Sequence, residues 1–179
     1  MKNIKSIFDN YKNNQLNKNF IIVVNIKEQN LELYKFFTPI KSFKISSSQY
    51  GEGFENGSQK TPLGAHYIKD IIGENEEPLT IFKGRKPTNK KAKIISGDLR
   101  STEDIICSRI FWLDGLEEGI NKGNNVDTYN RYIYIHGTNE ESLLGKKASH
   151  GCIRMSNNDI ITLCNFNINK AFVYITPEK

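Results

Sequence analysis

Short apolar segments separated by turn-forming residues recur along most of this chain. Residues 20–26 are rich in β-branched side chains, and residues 31–34 follow a turn-like stretch, as in a β-hairpin. Similar segments lie at 40–46, 65–72, 80–82, 105–113, 132–135 and 171–175. One internal helix is convincing, with Ser156 as its N-cap, Asp159 in its first turn and an apolar face at 160–164. Many short strands with one or two helices predict a single, mainly β domain.

The length of 179 residues fits one domain with a substantial core. At the N-terminus, Ile4, Ile7, Phe8 and Tyr11 have helical spacing, so a short amphipathic helix within residues 3–14 competes with a frayed terminal segment. No repeat, linker or shift in composition divides the rest. We therefore predict an N-terminal segment at 1–19 and one domain at 20–179.

Charge and cysteine content exclude several classes of protein. The net charge of +5 is mostly scattered lysine, and the one basic run, at 83–93, is either a solvated loop or an anion-binding patch. Such a patch fits nucleic acid, anionic lipid or an acidic polymer equally well.

Three cysteines without a Cys-x-x-Cys pair do not form a disulfide framework. The longest apolar run, 20–24, is too short to span a membrane, and residues 1–19 lack the features of an export signal.

The residues suited to chemistry lie close together in the second half of the chain. His136 is predicted where a buried strand meets a loop, and Cys152 lies between a glycine and an apolar residue just before the helix. A cysteine nucleophile needs an imidazole to take its proton, and a neighbouring glycine frees backbone N–H groups for an oxyanion. Arg154 could bind a substrate carboxylate with two hydrogen bonds. These residues indicate acyl transfer through a thioester, with His136 or His150 as the base.

Three other interpretations remain open at this point. Cys152 and the histidines could be core residues, or Cys152 could be a redox thiol without a resolving partner. A metal site could be formed by His136, His150 and Cys152 with His66, although no paired ligand spacing supports it. His66 lies in an alternating strand and is predicted to be a surface residue. The two other cysteines, Cys107 and Cys164, are predicted to be small hydrophobic residues.

A family resemblance is carried by residues 133–138 (Ile-Tyr-Ile-His-Gly-Thr) and 149–155 (Ser-His-Gly-Cys-Ile-Arg-Met). Together they resemble the signature of the L,D-transpeptidase catalytic domain, also called the YkuD domain. Supporting features follow in order: the hairpin with Gln29, Leu31 and Tyr34, the Thr-Pro-Leu-Gly turn at 61–64, and the closing helix and strand at 159–175. The resemblance covers about residues 20–176 and overturns the core interpretation.

The resemblance implies a β-sandwich with a catalytic cleft and an enzyme that cleaves the diaminopimelate–D-Ala bond of peptidoglycan stem peptides. It also implies roles for residues, in chain order: His136 as proton acceptor and donor, the Gly137 carbonyl as its orienting group, Ser149 as support for the loop, His150 and Gly151 as the oxyanion site, Cys152 as nucleophile, and Arg154 as a partner for a substrate carboxylate. The implied partner is a stem peptide or muropeptide rather than nucleic acid. No metal and no organic cofactor are implied.

The acceptor decides the product. A stem amine would give a cross-link, a free D-amino acid would give exchange, and water would give an L,D-carboxypeptidase. A non-catalytic peptidoglycan-binding module of the same fold is the alternative. Residues 109–117 resemble a short, leaderless subgroup from Gram-negative bacteria. We therefore expect a cytoplasmic enzyme of muropeptide recycling if the chain is full-length, and a periplasmic or cell-envelope enzyme if a leader has been removed. Nothing in the sequence indicates an oligomeric state.

Overall fold

The computed structural model describes residues 4–97, 100–101 and 104–177. Over these residues it is mainly β, which confirms the predicted fold class. Ten strands form there: β1 (Asn17–Asn25), β2 (Asn30–Lys35), β3 (Thr38–Ser46), β4 (Gly64–Ile72), β5 (Thr80–Lys83), β6 (Lys86–Lys91), β7 (Ile106–Gly115), β8 (Tyr134–Thr138), β9 (Ile153–Met155) and β10 (Ala171–Thr176). Two α-helices accompany them, α1 (Ile4–Asp9) and α2 (Asn157–Cys164). None of the helices in the described residues is long and apolar enough to cross a membrane.

The strands form one continuous sheet in the order β4-β10-β1-β2-β3-β9-β8-β7-β5-β6. An additional pairing between β4 and β7 closes eight of these strands into a ring. The β5–β6 hairpin continues the sheet outside this ring, beyond β7. The β8–β9 and β1–β10 pairs are parallel, and the other pairings between strands are antiparallel.

The apolar core lies inside the ring. All eight of its strands contribute buried residues that alternate with outward-facing ones, as the period of two of a β-strand requires. Helix α2 packs against the same core through Ile160 and Leu163. Its N-cap is Ser156, whose hydroxyl accepts a hydrogen bond from the Asp159 N–H at 3.0 Å, as predicted.

Two elements cover the outer faces of the ring. Helix α1 places Phe8 edge-to-face against Phe37 and Phe172, with ring centroids 5.7 and 5.4 Å apart. On the opposite part of the molecule, Phe82 of the β5–β6 hairpin packs on the outward side chains of β7 and β8. The N-terminal segment therefore docks on the domain, and the boundary predicted between residues 19 and 20 falls inside β1.

Two sequence predictions are corrected by the fold. The basic run at 83–93 is not a plain loop, because Lys86–Lys91 forms β6 and pairs with β5. Its residues are exposed on both faces, so the apolar alternation that marks a strand is missing. His66 is not a surface residue: it is fully buried in β4, where its ring contacts the Gly64 carbonyl and the Thr128 hydroxyl, each at 3.1 Å.

Candidate active site

The candidate site is built on the outer face of β8 and β9, opposite the core. In β8, Ile135 faces the core while Tyr134 and His136 face outward, and in β9, Ile153 faces the core while Arg154 faces outward. The parallel register pairs His136 with Arg154. Cys152 directly precedes β9 on the outward side, beside Tyr134. Strand alternation and register thus place Cys152, His136 and Arg154 on one face.

Cys152 has a half-buried side chain at the edge of an aromatic cluster. Its Sγ accepts a hydrogen bond from the Tyr134 N–H at 3.4 Å and lies 3.5 Å from the Tyr132 carbonyl oxygen. Burial raises the pKa of the Cys152 thiol to about 12, although the Tyr134 N–H and two nearby guanidinium groups favour the thiolate. The resting group at neutral pH is therefore a thiol, which needs a base to become a nucleophile.

His136 is a buried imidazole with a fixed tautomer. Its Nδ1 lies 2.8 Å from the carbonyl oxygen of Gly137. A carbonyl only accepts hydrogen bonds, so Nδ1 carries the proton of the neutral ring and Nε2 holds the free lone pair. Burial lowers the pKa of His136, against the opposing effects of the Asp104 carboxylate and the Gly137 carbonyl. The contact is the one that the resemblance implies, and the catalytic role of Gly137 stays a prediction.

Arg154 is buried, with 1% of its surface exposed, between two carboxylates. Its guanidinium lies 2.7 Å from Asp104 and 2.6 Å from Glu140. Both ion pairs are short and partly desolvated, so they hold the guanidinium firmly beside His136. This geometry does not favour the predicted contact of Arg154 with a substrate carboxylate, because two carboxylates of the protein already occupy it.

The loop that carries Cys152 is fixed by its neighbours on both sides. The Ser149 hydroxyl donates to the Cys152 carbonyl, and the Ser149 N–H donates to the Ser47 carbonyl at 3.0 Å. The Thr61 hydroxyl donates to the Gly151 carbonyl at 3.0 Å, which connects the Thr-Pro-Leu-Gly turn to the residue before Cys152. Gly151 has a φ of 122°, a conformation that favours glycine. The loop is therefore held in one conformation at the residue before Cys152.

His150 lies at the solvent-exposed edge of the site. Its Nδ1 lies 3.3 Å from the Asp104 carboxylate, and its Nε2 lies 3.2 Å from the Gln49 side-chain amide. The buried ring with the fixed tautomer is that of His136, so His136 is the better candidate for the base. The assignment of His150 and Gly151 to an oxyanion site stays a prediction.

A polar pocket of about 170 Å³ adjoins these residues. It is lined by Arg100, Ser101, Asp104, Glu140, Ala148, His150 and Arg154. In the part of the chain that the structure describes, no group of three His, Cys, Asp or Glu side chains is placed to hold a metal ion. The alternative of a metal site built from His136, His150 and Cys152 therefore has no support in the geometry.

Sequence reasoning missed the charged residues around the site. Asp104 and Glu140 lie outside the motif, and only the tertiary structure brings them to Arg154. A signal was present, because an arginine between Ile153 and Met155 in a buried strand requires acidic partners. Arg131, one residue before the Tyr132 carbonyl that contacts Cys152, was missed as well.

The chain is a closed, mainly β protein with a cysteine and a histidine on the outer face of two parallel strands. The model of the L,D-transpeptidase catalytic domain, the YkuD family, matches residues 19–175. The chain belongs to this family, which confirms the resemblance. A Bacillus subtilis protein with the provisional name L,D-transpeptidase YqjB is 34% identical over 94 residues, which are 52% of this chain and 46% of that protein.

Solved structures of the family share the fold. An L,D-transpeptidase from Mycobacterium smegmatis matches with a TM-score of 0.51 at 14% identity, covering 88% of this chain and 58% of that one. A cysteine-to-serine variant of an Enterococcus faecium L,D-transpeptidase also matches with a TM-score of 0.51, at 16% identity, covering 88% and 50%. The chain thus spans less than two thirds of the length of these relatives.

Proposed function

We propose that the chain is a cysteine-dependent acyltransferase that acts on peptidoglycan stem peptides at the diaminopimelate–D-Ala bond. Family membership supports the reaction class. The observation that carries the proposal is the pairing of β8 with β9, which places Cys152 and a His136 with a fixed tautomer on one outward face. The Mycobacterium smegmatis relative is named as an L,D-transpeptidase, which agrees with this assignment.

The first step forms a thioester. His136 Nε2 takes the proton of the Cys152 thiol as Sγ attacks the diaminopimelyl carbonyl carbon, and the carbonyl oxygen becomes an oxyanion. When the C–N bond breaks, the leaving D-Ala amine takes the proton from the His136 imidazolium. The Gly137 carbonyl keeps the Nδ1 proton in place, so Nε2 remains the atom that exchanges protons.

The second step releases the acyl group. An amine or water attacks the thioester carbonyl, and His136 takes a proton from this acceptor. The C–S bond breaks, and the sulfur is reprotonated through the same imidazole. An amine acceptor gives a cross-link or an exchanged terminus, and water gives a tripeptide.

Neither Cys152 nor His136 is charged at rest, so the proton of the thiol moves during catalysis. Burial raises the pKa of Cys152 and lowers that of His136, so a preformed thiolate–imidazolium pair is disfavoured. Proton transfer then accompanies the attack on the substrate. We expect weak reactivity of Cys152 toward small alkylating reagents at neutral pH and faster reaction with a bound acyl donor.

The test is mass spectrometry of the purified protein incubated with a disaccharide-tetrapeptide muropeptide. Cys152→Ala and His136→Ala are each expected to reduce turnover by at least about 10³-fold, since they remove nucleophile and base. Circular dichroism should show an unchanged fold. Loss of one D-Ala would establish an L,D-carboxypeptidase, and a cross-linked dimer would establish a transpeptidase.

Two outcomes would contradict the proposal. Turnover by Cys152→Ala at the wild-type rate would exclude the cysteine mechanism. Wild-type protein that binds the muropeptide without changing its mass would instead indicate the non-catalytic binding module.

A further inference from the structure

Arg131 is a cation that the catalytic steps do not use, and it directly precedes the residue whose carbonyl contacts Cys152. It lies in the turn before β8, where its N–H donates to the Asp127 carbonyl at 2.9 Å. The next residue, Tyr132, has a positive φ of 56° and points its carbonyl at Cys152 Sγ, 3.5 Å away. The turn therefore holds the backbone of Arg131 one residue from a direct contact with the nucleophile.

The guanidinium of Arg131 contacts only neutral acceptors among the described residues. It donates to the Lys60 carbonyl at 2.7 Å, to the Gly53 carbonyl at 3.3 Å and to the Ser58 hydroxyl at 3.4 Å. Arg154 differs, because two carboxylates balance its charge. Carbonyl dipoles orient the Arg131 side chain, and no carboxylate of the described residues pairs with its positive charge.

The charge of Arg131 acts on the nucleophile. Burial lowers the pKa of Arg131, whereas the charge of a Cys152 thiolate would raise it. In turn, Arg131 favours the thiolate form of Cys152. A half-buried cation gains more from an arriving anion than an exposed cation does, because water screens the half-buried charge less.

We propose that Arg131 binds the C-terminal carboxylate of the donor peptide, on the residue that leaves during thioester formation. The inference rests on the proposed function, in which Cys152 attacks the carbonyl one residue before the terminus. One residue spans at most about 3.3–3.6 Å, so the terminal carboxylate must lie a few ångströms beyond the attacked carbonyl. The guanidinium donates to the Lys60 carbonyl, whose oxygen lies 3.5 Å from the Cβ position of Gly151, the residue before Cys152. It therefore lies against the loop that carries the nucleophile, and its planar fork matches a carboxylate.

This assignment makes Arg131 the selector for donors that end in a free carboxylate. A peptide with a further residue, or with an amide at its terminus, would leave the guanidinium without its anion. Arg131 would then restrict the reaction to the last bond of a tetrapeptide stem.

The competing explanation is that Arg131 only stabilises the thiolate or fixes the loop at 53–60. These roles do not depend on the chemistry of the donor terminus. A comparison of two donors that differ only at this terminus therefore separates them from carboxylate binding.

The experiment measures kcat/KM for a tetrapeptide stem that ends in D-alanine and for the same peptide with a C-terminal amide. Wild-type protein is expected to prefer the free acid. In Arg131→Gln, kcat/KM for the free acid should fall by about 10- to 100-fold, as expected for the loss of a charge-assisted hydrogen bond. The fall in kcat/KM for the amide should be much smaller. Arg131→Lys keeps the positive charge but lacks the planar guanidinium. Its preference for the acid over the amide should lie between those of the wild type and Arg131→Gln.

Arg85→Gln is the matched control. The Arg85 guanidinium lies over the rings of Trp112 and Tyr132, 4.7 and 5.0 Å from their centroids, on the hairpin side of the site. Its removal takes one arginine from the same region and should leave the preference for the acid unchanged. Titration of Cys152→Ala protein with the two peptides should show the same preference as a ratio of Kd values.

If Arg131→Gln lowers kcat/KM equally for the acid and the amide, the inference is overturned. Arg131 would then act by stabilising the thiolate or by fixing the loop at 53–60. An unchanged preference in Arg131→Lys and Arg131→Gln would overturn it as well. If wild-type protein turns over neither peptide, the proposed function fails and this inference falls with it. Wild-type turnover with an unaltered preference in the variants would overturn the inference alone.

Discussion

Asp104 and Arg154 set the charge around His136 at the scale of single residues. The Arg154 cation disfavours the imidazolium, whereas the Asp104 carboxylate favours it. Asp104 is also bound to Arg154 at 2.7 Å and lies 3.3 Å from His150. The His136 imidazole contacts the Gly137 carbonyl rather than a carboxylate, and the Asp104 carboxylate acts on it through space.

The substitution Asp104→Asn is expected to lower the pKa of His136, because it removes the negative charge that favours the imidazolium while Arg154 remains. The base works when neutral, so the acid limb of the kcat/KM profile should move to lower pH. The measurement is the pH dependence of muropeptide turnover.

Glu140→Gln is the control for this prediction. It removes the other carboxylate of Arg154, and Glu140 is not among the groups that shift the pKa of His136. An acid limb that stays in place in Asp104→Asn would refute the electrostatic role of Asp104.

The Thr-Pro-Leu-Gly turn and the loop that carries Cys152 act together at the scale of elements. The Thr61 hydroxyl accepts from the buried Ser48 N–H at 3.1 Å and donates to the Gly151 carbonyl at 3.0 Å. One hydroxyl thus links the chain after β3, the turn before β4 and the nucleophile loop. The side chain is fully buried, so water cannot replace these bonds.

We expect Thr61→Val to lower the free energy of unfolding by about 1–3 kcal/mol, because the Ser48 N–H and the Gly151 carbonyl lose a partner. Turnover should fall by about tenfold, since the residue before Cys152 loses its tie. Chemical denaturation and steady-state kinetics provide the two measurements.

Thr61→Ser keeps the hydroxyl and should restore both stability and turnover to near the wild-type values. Wild-type turnover in Thr61→Val would show that the tie does not position Cys152.

His66 links the stability of the whole molecule to pH. It is buried in β4, and desolvation lowers its pKa from 6.5 to about 4. The unfolded chain therefore binds a proton more readily between these values. Above about pH 6.5, His66 is neutral in both the folded and the unfolded chain and does not make the free energy of unfolding depend on pH. As the pH falls from 6.5 toward 4, protonation of the unfolded chain lowers the free energy of unfolding by about 3 kcal/mol in all.

His66→Gln should flatten the fall in the free energy of unfolding between pH 6.5 and 4, since glutamine does not titrate there. Urea denaturation across this range measures the difference from wild type. His150→Gln, which removes an exposed imidazole, is the control and should leave the curve unchanged. A parallel fall in His66→Gln and wild type would contradict the assignment.

Most of the strands, the capped helix and the residues of the motif could be predicted from the sequence. Strand patterns are visible in the sequence because one face of each strand is buried, so apolar and polar residues alternate. The same alternation was present in residues 133–136 and 152–155, with isoleucine facing the core between His136 and Tyr134. His136 was nevertheless predicted at the end of a strand and lies within β8, which continues to Thr138.

Contacts between residues that are far apart in the chain became apparent in the folded structure. The sequence did not show β6, because a strand exposed on both faces carries no apolar alternation. It did not show the burial of His66, since a loop around Thr128 covers it. It also did not pair Arg154 with Asp104 and Glu140. Local patterns reflect which side of an element faces the core, whereas long-range contacts depend on how the closed sheet brings separate segments together.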